Sequence, residues 1–207
     1  MILPTAPGLI VPFAGPTCVG KTTFLEILCR TLNAKLLLSN TTRQRRDTDL
    51  EGEYTYGTHD QFQEAHASGL VCWHAQVRDD TYWTLNETVT QALQSNTGHR
   101  RLYVGALVLV DEGIDKLYAY AHKNGVEDRV KPVYLWSNNY TALFSWMEKR
   151  RYSPDKIDLN LKLAREWNAL AAEYSTPPLH IINADRSLEE VEAEVVEYVL
   201  GFFLPPQ

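Results

Sequence analysis

The sequence predicts an α/β fold of three layers, with a parallel central sheet covered by helices on both faces. Two observations carry this. Apolar runs of strand length alternate along the chain with helix-length segments, the order that builds βαβ units. The first run, Leu9 to Ala14, passes through Gly15-Pro16-Thr17-Cys18-Val19-Gly20-Lys21-Thr22 into a helix-like segment bearing Phe24, Ile27, Leu28 and Leu32. That is the G-x-x-x-x-G-K-T spacing of a phosphate-cradling loop, in its strand–loop–helix context.

Each residue type in the loop has a physical task. Gly15 and Gly20 permit a tight turn whose backbone N–H groups converge on phosphate oxygens. The following helix adds its positive N-terminal end. Lys21 supplies a compact charge for the β- and γ-phosphates, and the Thr22 hydroxyl, followed by Thr23, suits Mg²⁺. The pattern implies ATP and Mg²⁺. Cys18 sits beside Lys21 and the helix N-terminus, a setting expected to lower a thiol pKa.

The remaining elements follow in order. Ala34 to Ser39 reads as a second strand. Residues 40–84 change character and read as an inserted subdomain, with a polar stretch, a short helix over Asp60 to Ser68 and a strand over Leu70 to Val77. Arg78-Asp79-Asp80 reads as a turn, and Glu87 to Ser95 as a helix. Arg101 to Val110 is strand-like and ends at Asp111, where a carboxylate faces Mg²⁺ or substrate, or simply solvent. A helix over Ile114 to Lys123, a strand over Val130 to Trp136 and a helix over Tyr140 to Lys149 come next. An amphipathic helix from Ile157 to Tyr174 places Leu163, Trp167, Leu170, Ala171 and Tyr174 on one face. Leu179 to Asn183 is the last strand, and Ser187 with Glu190 forms a capping-box pattern before the last helix.

Composition narrows the function. The 207 residues fit one domain with insertions, and 44% hydrophobic content supports a sizeable core. A formal charge of −6 argues against wrapping nucleic acid. No apolar run reaches membrane-spanning length, and Met1 to Gly8 lacks the pattern of a signal peptide. Cys18, Cys29 and Cys72 show no metal-ligand spacing and suit a reducing cytoplasm.

A second constellation is Ser39-Asn40-Thr41-Thr42-Arg43-Gln44-Arg45-Arg46, followed by Gly52 and Tyr54. Two arginines three apart, beside hydroxyls and tyrosines, suit a phosphate monoester through paired charge-assisted bonds. A basic surface loop is the alternative.

Together these segments resemble guanylate kinase, over about residues 9 to 200. The resemblance rests on the phosphate loop, the T-T-R-x-x-R element, Gly52 and Tyr54, Gly69 to Thr84, Arg150 and Arg151, Ala164-Arg165-Glu166, and Asn183-Ala184-Asp185. It implies a P-loop kinase with a core of 1–39, 85–149 and 157–207, a nucleoside-monophosphate-binding insertion at 40–84, and a lid at 150–156. It implies that Arg43, Arg46, Tyr54 and Tyr82 hold the acceptor phosphate, and that Ser39 contacts the base. Lys21 and Arg150, with Arg151, would stabilise the transferring phosphoryl, and Asn183 would lie near the donor adenine. The partners so implied are small nucleotides, in a monomer or homodimer.

The departures concern specificity. The family carries a Glu for guanine where this chain has Trp73, and an indole has a donor only. Gln76 lies nearby with an amide. The second lid arginine reads Asn160, with Arg151 or Arg165 as substitutes, and the Tyr-Gly-Thr turn reads Tyr82-Trp83-Thr84. Trp73 could stack on a base or fill the subdomain core. The acceptor base could then differ from guanine, with pyrimidine or modified deoxynucleotides included. A kinase for a non-nucleotide phosphate such as ribose bisphosphate, and a non-catalytic interaction module, are the alternatives. The intact loop argues against the last.

Overall fold

The computed structural model describes residues 8–47, 49–77, 79–94, 102–106, 113–175 and 178–203. Its elements run β1 (Leu9–Ala14), α1 (Lys21–Leu32), β2 (Lys35–Leu36), β3 (Ser39–Thr41), β4 (Tyr54–Tyr56), α2 (His59–Ala67), β5 (Val71–Val77) and β6 (Asp80–Leu85). Then follow α3 (Asn86–Gln94), β7 (Leu102–Ala106), α4 (Asp115–Lys123), β8 (Val133–Trp136), α5 (Tyr140–Lys149), α6 (Pro154–Glu173), β9 (His180–Asn183) and α7 (Leu188–Gly201).

The central sheet is parallel and five-stranded, in the order β2-β7-β1-β8-β9. β1 lies in the middle, buried along its whole length. Its successor β2 is placed beyond β7, so the chain direction reverses at β1, and crevices at such switch points bind ligands at the strands' C-terminal ends. The phosphate loop opens there. Two cores cover the sheet. Phe13, Phe24, Leu28, Leu135 and Met147 belong to one, and Ile10, Trp73, Leu93, Leu117 and Tyr134 to the other.

The expected strand over 34–39 is two strands in two sheets. Leu37 N–H still donates to Val104 O at 2.7 Å, but Ser39 N–H donates to Glu53 O at 3.0 Å. The chain therefore leaves the central sheet at Leu38 and starts a second sheet, ordered β4-β3-β6-β5. Residues opposite one another share a face. Thr41 pairs with Tyr82, Ala75 with Tyr82, and Trp73 with Thr84, so these line one face. Trp83 and His74 lie on the other, where Phe62 of α2 meets Trp83 at 5.4 Å and His74 at 5.3 Å between ring centroids. The Tyr82-Trp83-Thr84 segment is thus strand β6, not a turn.

Helix ends follow local chemistry. Thr58 and Gln61 form a capping box at α2, and Ser187 and Glu190 form one at α7. The helix expected from Ile157 starts at Pro154, because Ser153 is extended at the N-cap and Pro154 fits the first turn. Only residues 150–153 separate α5 from α6. The buried stripe of α6 is Ile157, Asn160, Ala164, Asn168 and Ala171, whereas Leu170 is exposed. Two asparagines can be buried there because each is bonded. Asn168 accepts from Tyr134 OH at 2.9 Å and donates to Ser137 O at 2.8 Å. Asn160 donates to Lys156 O at 2.5 Å.

Candidate active site

A cleft of about 570 Å³ runs from the phosphate loop to the second sheet. At one end the loop has the shape its sequence demands. Gly15 has φ 141, and a Cβ there would sit 2.5 Å from Leu135 O, so only glycine fits. Gly20 has φ 103 and serves as the N-cap of α1 with no side-chain cap. The first-turn N–H groups are thereby left for a ligand. Pro16 O accepts from Val19 N–H at 3.4 Å, and Val19 packs into the core.

Lys21 Nζ donates to Gly15 O at 2.6 Å and to Pro16 O at 2.8 Å, so the ammonium is turned into the loop. Burial lowers its pKa to about 8, and nearby Arg150 acts in the same direction. Thr22 and Thr23 line the cleft beside it. Thr17 Oγ1 donates to Asn160 Oδ1 at 2.9 Å, tying the loop to α6 at the position expected for a lid arginine. Cys18 departs from expectation. Burial raises its thiol pKa, outweighing Arg150 and Lys21, and the residue takes φ 68.

The other end is made of side chains from the second sheet. Arg43 is 6% exposed, and its guanidinium grips Asp49 with two bonds of 2.9 Å, Tyr82 OH at 3.1 Å and Gln44 O at 2.7 Å. Burial opposes its charge, but Asp49 and the tyrosines outweigh burial, and the pKa is raised. Asp49 also accepts from Arg46 N–H at 2.7 Å and Tyr56 OH at 2.8 Å. Despite burial, these donors lower its pKa. The Arg46 side chain is exposed and lines the cleft, and no carboxylate pairs with its guanidinium among the described residues. Tyr54 and Tyr82 meet edge-on with centroids 6.1 Å apart, and burial raises both phenol pKa values. Glu53 lines the same cleft at 5% exposure, its pKa raised by burial.

Other expected site residues are placed differently. Arg150 lines the cleft from the end of α5, whereas Arg151, at φ 56, does not. Gln76 lines the cleft. Ser39 hydroxyl pairs with Thr84 hydroxyl at 2.8 Å in the buried interior. Trp73 is 1% exposed, lies in the second core, and its indole N–H has no hydrogen-bond partner among the described residues. It does not line the cleft. Asn183 Oδ1 accepts from Asp185 N–H at 2.9 Å, and Asn183 does not line the cleft. Asp111 lies outside the described residues.

Known proteins give this geometry a family. The chain is 32% identical over 207 residues to a guanylate kinase of Mycoplasmoides gallisepticum, spanning 95% of this chain and 96% of that protein. The chain belongs to the guanylate kinase family. A guanylate kinase of Anaeromyxobacter dehalogenans is 36% identical over 89 residues, 42% of this chain and 39% of that protein. The fold matches the crystal structure of guanylate kinase from Anaplasma phagocytophilum with a TM-score of 0.64 and 17% identity, over 97% of this chain and 89% of that one. At that identity the likeness speaks for the P-loop kinase fold alone. No protein-family model matches the chain.

For a guanylate kinase relative, the notable residues are those sequence reasoning passed over. Asp49, six residues beyond Arg43, carries no motif of its own, and only folding brings it onto the guanidinium. Leu159, Leu163 and Trp167 of α6 also line the cleft. Their four-residue spacing was legible, but which side of the helix meets the cleft was not.

Proposed function

We propose that the chain is an ATP-dependent nucleoside monophosphate kinase whose acceptor base is not held by a guanine-reading carboxylate. One observation carries this reading. A single cleft has Lys21, Thr22 and the loop at one end, Arg46, Arg43, Tyr54 and Tyr82 at the other, and Arg150 on its border. Two anionic substrates would thereby meet cations at both ends, with Arg150 beside Cys18 and Lys21.

The residues fit ATP and Mg²⁺. The backbone of Gly15 to Thr22 would hold the donor phosphates, and Lys21 would turn from the loop carbonyls to the β- and γ-oxygens. Among the described residues no group of three or more His, Cys, Asp or Glu is placed to hold a metal. Thr22, which lines the cleft beside Lys21, would take Mg²⁺ with the nucleotide, and the ion, when bound, would offset charge on those oxygens. The acceptor phosphate is already ionised and needs no general base. Arg46 and Tyr82 would position it, and Arg43 would do so while held in place by Asp49. Arg150 would stabilise the charge spread over the equatorial oxygens. Closing the cleft would exclude water, which competes as acceptor.

A second reading, a kinase for a sugar phosphate such as ribose bisphosphate, draws support from the Trp73 position. The indole fills the sheet face, and the Ser39 and Thr84 hydroxyls satisfy each other. Labelled γ-phosphoryl transfer from ATP·Mg²⁺ to nucleoside monophosphates and to ribose 1,5-bisphosphate separates the two. Labelled nucleoside diphosphate supports the first. Label transferred to ribose bisphosphate alone overturns it.

A further inference from the structure

The geometry points to Trp167 of α6 as the surface on which the acceptor's base lies, with Leu163 and Leu159 completing the wall. This assignment rests on the nucleotide reading and names how that site handles the base. On the inserted sheet Gln76 of β5 lines the cleft with an amide, but the face that carries Trp73 offers a base little to bind. Trp73 is 1% exposed, Thr84 is fully buried, and the hydroxyls of Ser39 and Thr84 are closed on each other at 2.8 Å. The opposite wall is different. Leu159, Leu163 and Trp167 are four residues apart and so form one stripe along the helix. All three line the cleft, and Leu159 keeps 41% of its surface exposed.

The wall is also held firmly. Trp167 packs against the core that contains Tyr82 and Tyr134. The next residue, Asn168, is fixed by Tyr134 OH and Ser137 O, which sets the rotation of α6 about its axis. About two turns earlier, Asn160 ties the helix to Thr17 of the phosphate loop. A monoester phosphate gripped at Arg46 and Tyr82 shares its cleft with this wall. Stacking on an indole tolerates every base, because each has a π-face. The ligand class is therefore a planar heteroaromatic base on a sugar phosphate, sorted by size and shape more than by hydrogen bonding.

Calorimetric titration of the full chain tests this, with GMP, AMP, dTMP and ribose 5-phosphate as ligands for wild type, Trp167→Phe and Trp167→Leu. Trp167→Leu should weaken the nucleotides by about tenfold or more, with Trp167→Phe within about threefold of wild type and ribose 5-phosphate unchanged in both. Leu163→Gln, a milder change in the same wall, should give the same split between nucleotides and ribose 5-phosphate if Trp167→Leu fails to fold. Unchanged nucleotide affinity in these variants, or equal weakening of ribose 5-phosphate, overturns the assignment alone. A wild type that binds the nucleotides no more tightly than ribose 5-phosphate overturns the nucleotide reading itself, and this assignment with it.

Discussion

The two ends of the cleft are built in opposite ways. The phosphate-loop end is made of backbone, fixed by positions where only glycine fits, such as Gly15 against Leu135 O. The acceptor end is made of side chains held by one another, as in the Arg43–Asp49–Tyr56 set. Backbone recognition demands a strict local spacing and therefore leaves a mark in the sequence. Side-chain recognition is assembled across some forty residues and can change its ligand while the fold stays. The first end identifies a kinase. In the proposed reaction the second would decide what is phosphorylated.

The sharpest break of that contrast is at Lys21. In the proposed mechanism Lys21→Ala removes a donor to the transferring phosphoryl, and turnover should fall by about a hundredfold or more with the fold intact. Steady-state ADP release checks this, and near-normal turnover would remove the donor end from the mechanism.

At the acceptor end the two arginines should separate. Arg46→Ala removes a guanidinium with no carboxylate partner among the described residues, and should raise the acceptor KM by about tenfold or more with little change in Tm. Arg43→Ala leaves Asp49, whose side chain is 7% exposed, with only two remaining donors. It should cost about 2–3 kcal/mol of stability as well as acceptor affinity. Equal Tm values for the two variants would show that Asp49 does not hold Arg43 in place.

A pH profile sharpens the donor end without mutation. Lys21 has a lowered pKa of about 8, so the free enzyme loses its ammonium as pH rises through that value. kcat/KM for ATP should be level below pH 8 and decline above it. Bound phosphates favour the protonated form, so kcat at saturating ATP should hold to higher pH. A kcat/KM profile flat through pH 10 would contradict this role.

The smallest effect should be at Trp73. Trp73→Phe leaves a modest cavity but removes an indole N–H with no partner among the described residues, so it should cost about 1–2 kcal/mol in a denaturant melt. Relative kcat/KM among acceptors should not change. A marked change in selectivity would return Trp73 to the binding surface.

Much of the architecture was legible because its signals are local. The loop spacing, the capping box at Ser187 and the alternation of strands and helices all act within a few residues. Three features were not legible, each for a long-range reason. The break between β2 and β3 depends on which sheet accepts Ser39. The exposure of Trp73 depends on the side of β5 that faces the core, since one residue's shift in register would turn it outward. The buried face of α6 includes Asn160 and Asn168, which count as surface residues until their partners Lys156 O, Tyr134 OH and Ser137 O are in place. Cys18 shows a related point. Its neighbours in sequence favour a thiolate, yet burial, a property of the folded loop, decides the direction.

The central claim is a nucleoside monophosphate kinase whose acceptor base meets an apolar wall and not a matched carboxylate. The direct measurement is kcat/KM at saturating ATP·Mg²⁺ for GMP, dGMP, AMP, dCMP and dTMP, read by coupled ADP release. Apolar sites discriminate by about 10–200-fold, whereas sites matched by hydrogen bonds reach about 10⁴ or more. The account predicts transfer to these acceptors, with the best favoured over the next base by less than about two hundredfold. Strict selectivity for GMP and dGMP, by about 10⁴ over every other base, would contradict it.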